Sequence, residues 1–111
     1  MSTNASKMTA SQIVYAIKSG AHTAESVMND FLERIDSRDT EVEAFIEFDP
    51  ERALSRARAA DKMAEKGPLH GVPYAIKDII DTADLPTAWG SPIYAGFQPR
   101  RNASCVELLN R

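Results

Sequence analysis

Gly67 to Ser91 reads GPLHGVPYAIKDIIDTADLPTAWGS. Gly67, Pro68, Gly71 and Pro73 cannot sit inside a continuing helix, so the stretch opens with a break. The run from Val72 to Ile80 is apolar except for the pair Lys77-Asp78. A short apolar run bounded by Gly and Pro predicts a buried strand. Side chains on a strand alternate between faces. Lys77 would then share a face with Ala75 and Ile79, while Tyr74, Ile76 and Asp78 share the other. An ammonium between a methyl and a sec-butyl group is an odd place for a solvated charge.

Two readings fit Lys77. An edge-strand lysine reaches water along its aliphatic stem and discourages strand-to-strand association. A catalytic base must be neutral, and at the ordinary pKa near 10.4 only about one lysine in 2,500 is neutral at pH 7. Burial lowers a lysine pKa by about 3 to 5 units, so a closed apolar site makes a base of Lys77 and an open edge does not. What covers the ammonium decides between them.

Upstream of the break the pattern is helical. Residues 1–8 are small and polar and predict a flexible arm. Thr9 with Gln12 has capping-box spacing, Ile13, Val14 and Ile17 form a narrow stripe, and Gly20 is a stop. Thr23 caps a second predicted helix, whose Val27, Met28, Phe31, Leu32 and Ile35 form a stripe suited to packing on a core. Ala44 to Asp49 alternates and predicts a short strand. Asp49-Pro50 starts a third helix, with Asp as N-cap and Pro in the first turn, running to about Lys66. Its apolar face is Ala53, Leu54, Ala57, Ala60 and Ala64. After Lys77 an irregular stretch leads to about Arg101, and Asn102 is placed to cap a last helix carrying Val106 and Leu109. A helix between two strands predicts an α/β crossover unit.

Composition narrows the function classes. The 111 residues are 43% hydrophobic and 26% charged, a globular mixture in one domain with a modest core. A net charge of -3 argues against a nucleic-acid partner. No apolar stretch is long enough for a membrane span, and MSTNASKMTAS has no apolar core of a secretory signal. The single cysteine, Cys105, fits a reducing, cytoplasmic compartment and reads as a small buried apolar residue. His70 reads as a turn histidine bonded to backbone. With His22 the only other histidine and no acidic pair at metal spacing, neither metal nor cofactor is expected. Asp78 and Asp81 read as hydrogen-bond acceptors for loop amides.

GPLHGVPYAIKDIIDT, followed by DLPTAWGSPIYAGF, resembles the first signature stretch of the amidase signature family of serine hydrolases. The resemblance rests on the glycines and prolines before the run, on Ile76-Lys77-Asp78, and on Pro86-Thr87 and Gly90-Ser91; it extends more loosely over the preceding helices. It implies that Lys77 is the base of a Ser, cis-Ser, Lys triad acting on a small-molecule amide. It also implies that Thr87, Trp89 and Ser91 lie near the active site; a packed Trp on a turn fits them equally well. The implied fold is the N-terminal flank of an α/β/α sandwich, with residues 1–111 part of one amidase domain. The family's two serines belong to a Gly-Gly-Ser-Ser-Gly type stretch, and no two of the five glycines here are adjacent. The expectation is an amidase portion that is silent alone and prone to self-association through uncovered apolar faces. The alternatives are an interaction protein on the same scaffold and the A subunit of a tRNA-dependent amidotransferase, although DLPTAWGSPIYAGF reads closer to stand-alone amidases.

Overall fold

The computed structural model describes residues 3–111. Its regular elements are α1 (Ala10–Lys18), α2 (Ala24–Val42), α3 (Pro50–Asp61) and α4 (Ser104–Asn110), with 3-10 turns at Ala5–Lys7 and Pro92–Tyr94. The chain divides into two compact units, the first ending at Pro73 and the second being Tyr74–Arg111.

In the first unit the caps set the boundaries. Thr9 Oγ1 accepts the Gln12 N–H at 3.3 Å and Gln12 Oε1 accepts the Thr9 N–H at 2.8 Å, a reciprocal box that starts α1. Gly20 ends it at φ 78°, and the N–H groups of Gly20 and Ala21 return to the carbonyls of Ile17 and Ala16. Thr23 and Ser26 repeat the box at the start of α2. Glu43 closes α2 in the left-handed region, and Asp39 Oδ1 accepts the next N–H, that of Ala44, at 2.7 Å. Asp49 Oδ1 accepts the Arg52 N–H at 3.0 Å, with Pro50 as first helical residue of α3.

These helices bury Ile13, Ile17, Ala24, Val27 and Ala57 together with Ala5; Met8, Met28, Phe31, Ala60 and Val72 pack against them. Val27, Met28 and Phe31 of the α2 stripe therefore face the core, while Leu32 and Ile35 are half-buried. Residues 3–8 hold a turn rather than a plain arm: Ala5 is buried and its N–H donates to Asp30 Oδ2 at 2.6 Å. Residues 1 and 2 of the expected arm lie outside the described residues.

The third helix stops five residues before Lys66. Its last residue, Asp61, turns its carboxylate to α2, where Oδ1 accepts the Ala24 N–H at 2.7 Å and Oδ2 the Glu25 N–H at 3.0 Å. A carboxylate on free N–H groups at a helix N-terminus satisfies donors that have no partner inside the helix and faces the positive end of its dipole. Arg58 Nε adds a 2.7 Å ion pair to Glu25, exposed and of small energetic consequence. Asp61→Ala should cost about 1 kcal/mol of unfolding free energy, read by urea titration of the helical circular dichroism.

Among the described residues there is no strand, which corrects the α/β expectation for both Ala44–Asp49 and the run around Lys77. A strand exists by pairing, since a lone extended segment leaves its N–H and C=O groups without a ladder. Residues 44–49 bend instead at Ile46-Glu47, with the rings of Phe45 and Phe48 5.4 Å apart. Residues 72–77 are irregular and lead into a turn closed by the Ile80 N–H on the Lys77 carbonyl at 2.9 Å.

The second unit is held mainly by polar ties. Thr87 is buried, its N–H on the Phe97 carbonyl at 2.8 Å. The Ala103 N–H donates to the Asp81 carbonyl at 2.9 Å, and the Tyr74 hydroxyl to Asn110 Oδ1. Asn102 does not cap α4: its Oδ1 accepts the Ala83 N–H at 2.7 Å and its Nδ2 donates to Glu107, while Ala103 occupies the cap position without a side-chain bond. No helix is long and apolar enough to cross a membrane among the described residues.

Candidate active site

Lys77 stands on irregular backbone of the second unit and is exposed. Its neighbour Asp78 makes the densest set of bonds nearby. Asp78 Oδ1 accepts the Ala88 N–H at 2.9 Å, Oδ2 accepts the Gly90 N–H at 3.0 Å, and the Asp78 carbonyl accepts the Trp89 N–H at 2.8 Å. Three successive amides thus converge on one residue. The segment they belong to is a tight turn, closed by the Ser91 N–H on the Ala88 carbonyl at 2.9 Å. Both central residues have positive φ, 52° at Trp89 and 68° at Gly90, the signature of a type I′ turn. Glycine takes that conformation freely, but an L-residue with a large side chain does so at a cost.

The rings follow the turn. Trp89 meets Tyr94 edge to face at 4.8 Å and lies tilted against Phe97 at 5.8 Å. Trp89 is thus packed on its turn and also within one residue of amides held by the neighbour of Lys77. Ser91 Oγ accepts the Ile93 N–H at 3.4 Å at the start of the 3-10 turn.

The amides of Ala88 and Gly90 hold the Asp78 carboxyl below its ordinary 3.8; partial desolvation opposes them and the Lys77 charge assists. A carboxylate with a lowered folded pKa contributes fully above the unfolded value and loses that contribution as pH falls through the folded one. The near-ultraviolet dichroism of Trp89, the sole tryptophan, should therefore persist from neutral pH to about 4 and fall below it. A signal flat through that acid range would show that the carboxylate does not hold the turn.

The other candidates are placed as follows. His70 is a turn residue bonded to backbone, its N–H on the Gly67 carbonyl at 3.2 Å, while its ring Nε2 is buried without a hydrogen-bond partner. Cys105 is exposed rather than buried, because Val106 takes the inward position on α4. Asp78 does bond loop amides, whereas Asp81 contributes its carbonyl. No group of three or more His, Cys, Asp or Glu suited to a metal ion occurs among the described residues. The bond from Asp78 to residues 88–90 is the feature that strand alternation hides; Gly90 after an aromatic and before Ser-Pro is its one local sign.

Known proteins share this arrangement of sequence. The profile of the family described as Amidase matches residues 26–111. The A subunit of glutamyl-tRNA(Gln) amidotransferase from Streptomyces avermitilis is 42% identical over 96% of this chain, and that from Chloroflexus aggregans 41% over 92%. The chain spans 22% of the length of each. A solved structure described as an inhibitor-bound vestigial protein complex that reveals the evolutionary origins of an s-triazine catabolic enzyme superposes with a TM-score of 0.85 at 31% identity, over 93% of this chain and 24% of that one. With the match spanning residues 26–111, a range that includes Ile76-Lys77-Asp78, the chain belongs to the amidase family.

Proposed function

We propose that this chain forms the lysine-bearing N-terminal part of a single amidase domain that hydrolyses carbon–nitrogen amide bonds, with Lys77 as general base. The observation that carries the reading is the family match across the Lys77 tripeptide. In this reading the remainder of an amidase domain supplies the nucleophilic and bridging serines and the layer that desolvates Lys77. Neutral Lys77 takes a proton through the bridging serine as the nucleophile attacks the amide carbon. The amine leaves with a returned proton, and water then releases the acid from the acyl-enzyme. Without a nucleophile the chain alone is silent toward amides and toward serine-directed fluorophosphonates. Its single exposed thiol suits a reducing cytoplasm. Exposed Ile93, Tyr94, Phe97 and Leu108 are apolar surface available to the rest of such a domain or to self-association.

The names of the curated relatives favour a second reading, the A subunit of a tRNA-dependent amidotransferase. One experiment tests the first and separates the two. The chain replaces the matching segment of the Streptomyces avermitilis relative, and the chimera is assayed on simple amides and, with its partner subunits, for tRNA-dependent transfer. Hydrolysis of simple amides supports the amidase reading; transfer without such hydrolysis supports the second. If a folded chimera is inactive in both assays, both readings are overturned.

A further inference from the structure

We infer that Asp78 is a positioning residue, whose carboxylate and carbonyl lock the Ala88–Ser91 turn in its left-handed form and thereby fix the backbone that carries Lys77 and the ring of Trp89. The hold on the turn stands on the geometry alone; its bearing on catalysis rests on Lys77 being the base.

The turn does not explain its own conformation. A type I′ turn favours Asn or Asp with Gly at its centre, because both central residues need positive φ. Here the first central residue is Trp89 at φ 52°, a bulky side chain for which that region is a genuine outlier. Such strain persists only where surrounding structure over-determines it. Beyond the ring contacts of Trp89 with Tyr94 and Phe97, one residue binds all three of the turn's first amides. The Ala88 and Gly90 amides diverge from the turn at a spacing that the two oxygens of a single carboxylate satisfy, at 2.9 and 3.0 Å. The Trp89 amide between them reaches the same residue's carbonyl at 2.8 Å. No neutral side chain of this size offers two acceptors in that geometry; asparagine would present an NH2 group to one of the amides. Bonds to an ionised acceptor are also stronger than neutral ones.

The same residue is adjacent to Lys77 and lies inside the turn closed by the Ile80 N–H on the Lys77 carbonyl at 2.9 Å. Lys77 is therefore bracketed by a turn of its own and by a neighbour pinned at three points. An exposed side chain on irregular backbone would otherwise be free to move. Pinning the backbone confines the arc over which the ammonium can sweep, which is what a base must have to meet a proton at a fixed place. The charge that faces Asp78 is Lys77, and Ala88–Ser91 carries no titratable side chain.

The test compares Asp78→Asn with the unaltered chain and with Asp81→Asn as control. In D78N the near-ultraviolet dichroism of Trp89 should fall by about half or more, and hydrogen exchange at the Ala88 and Gly90 amides should quicken by about tenfold or more. Amides of α2 and the control variant should be unchanged. Protected amides and an intact tryptophan signal in D78N would overturn the inference. If D78N does not fold, the native chain decides. The Ala88 and Gly90 amide resonances should then shift together through one acid midpoint below 3.8, and resonances that do not move with acid overturn it. In the chimera, D78N should lower kcat by about tenfold or more with KM little changed. A loosened turn with unaltered kcat overturns the catalytic part alone, leaving the clamp in place. Whether Lys77 is the base is decided separately, by its own substitution.

Discussion

Lys77→Met in the chimera should lower amide hydrolysis by about 10²- to 10⁴-fold, the usual contribution of general acid–base catalysis. Methionine keeps much of the aliphatic stem, so packing around it is retained while the proton acceptor is lost. KM should change little, because the base acts on a proton in the transition state and not on the bound acyl group. Lys77→Arg sharpens the result. Arginine keeps the positive charge but does not become neutral at working pH. A base therefore fails as badly in the arginine variant as in the methionine one, whereas a lysine that merely supplies charge survives it. If Lys77 only reaches to water from the surface, both variants should fall within about 0.5 kcal/mol of the parent in stability and leave turnover intact. Substantial activity in the arginine variant would overturn the assignment of Lys77 as base.

Gly71→Ala should cost about 2–5 kcal/mol of folding free energy. Two causes add. At φ 76° an L-residue is strained, by about 1–2 kcal/mol. A β-carbon at this position would also run into the Cδ1 of Ile17 and lie 3.3 Å from the Cβ of Ala24. Both neighbours are buried, on α1 and at the first turn of α2, and relieving such overpacking typically costs about 1–3 kcal/mol. Against a total of about 5–15 kcal/mol for a natural domain the loss is large. Gly20 provides the comparison: its φ is 78°, yet an added Cβ meets nothing within 4 Å. Gly20→Ala should therefore show the backbone strain alone. Urea midpoints measured for both variants should separate by the packing cost; equal midpoints would mean that Ile17 moves aside freely.

The helix starts are legible in the sequence because their signals are local. Thr9 and Gln12 lie three residues apart, as do Thr23 and Ser26, and Asp49 adjoins Pro50, so each cap is complete within one turn of chain. What the sequence hides depends on partners distant along the chain. The run around Lys77 alternates like a strand, but alternation describes faces and supplies no neighbour to pair with, and no described segment pairs with it. Asn102 has the chemistry of an N-cap and spends it on Ala83, 19 residues away. The length of α3 is easily overestimated because Asp61 looks like any surface acid until the start of α2 is beside it. At the candidate site, Lys77 stands out by its company and by family resemblance. The part of Asp78 is only half visible: its type and place suggest an acceptor for loop amides, but which amides, and the left-handed Trp89 they impose, require the fold.

The reach of Asp61 to the start of α2 also orders events during folding. An isolated helix of 9 or 12 residues, the lengths of α1 and α3, is marginal in water. At 19 residues α2 is the helix best able to nucleate by itself, and its Thr23–Ser26 box forms within microseconds alongside it. The bonds from Asp61 span 36 and 37 residues and form only after the intervening chain has closed, at a cost that grows slowly with its length. Mutations at Asp61 should therefore mainly speed unfolding and leave the folding rate almost untouched, while mutations at Val27 slow folding. The carboxylate thus works as a latch on a finished hairpin and contributes to the lifetime of the unit more than to its assembly.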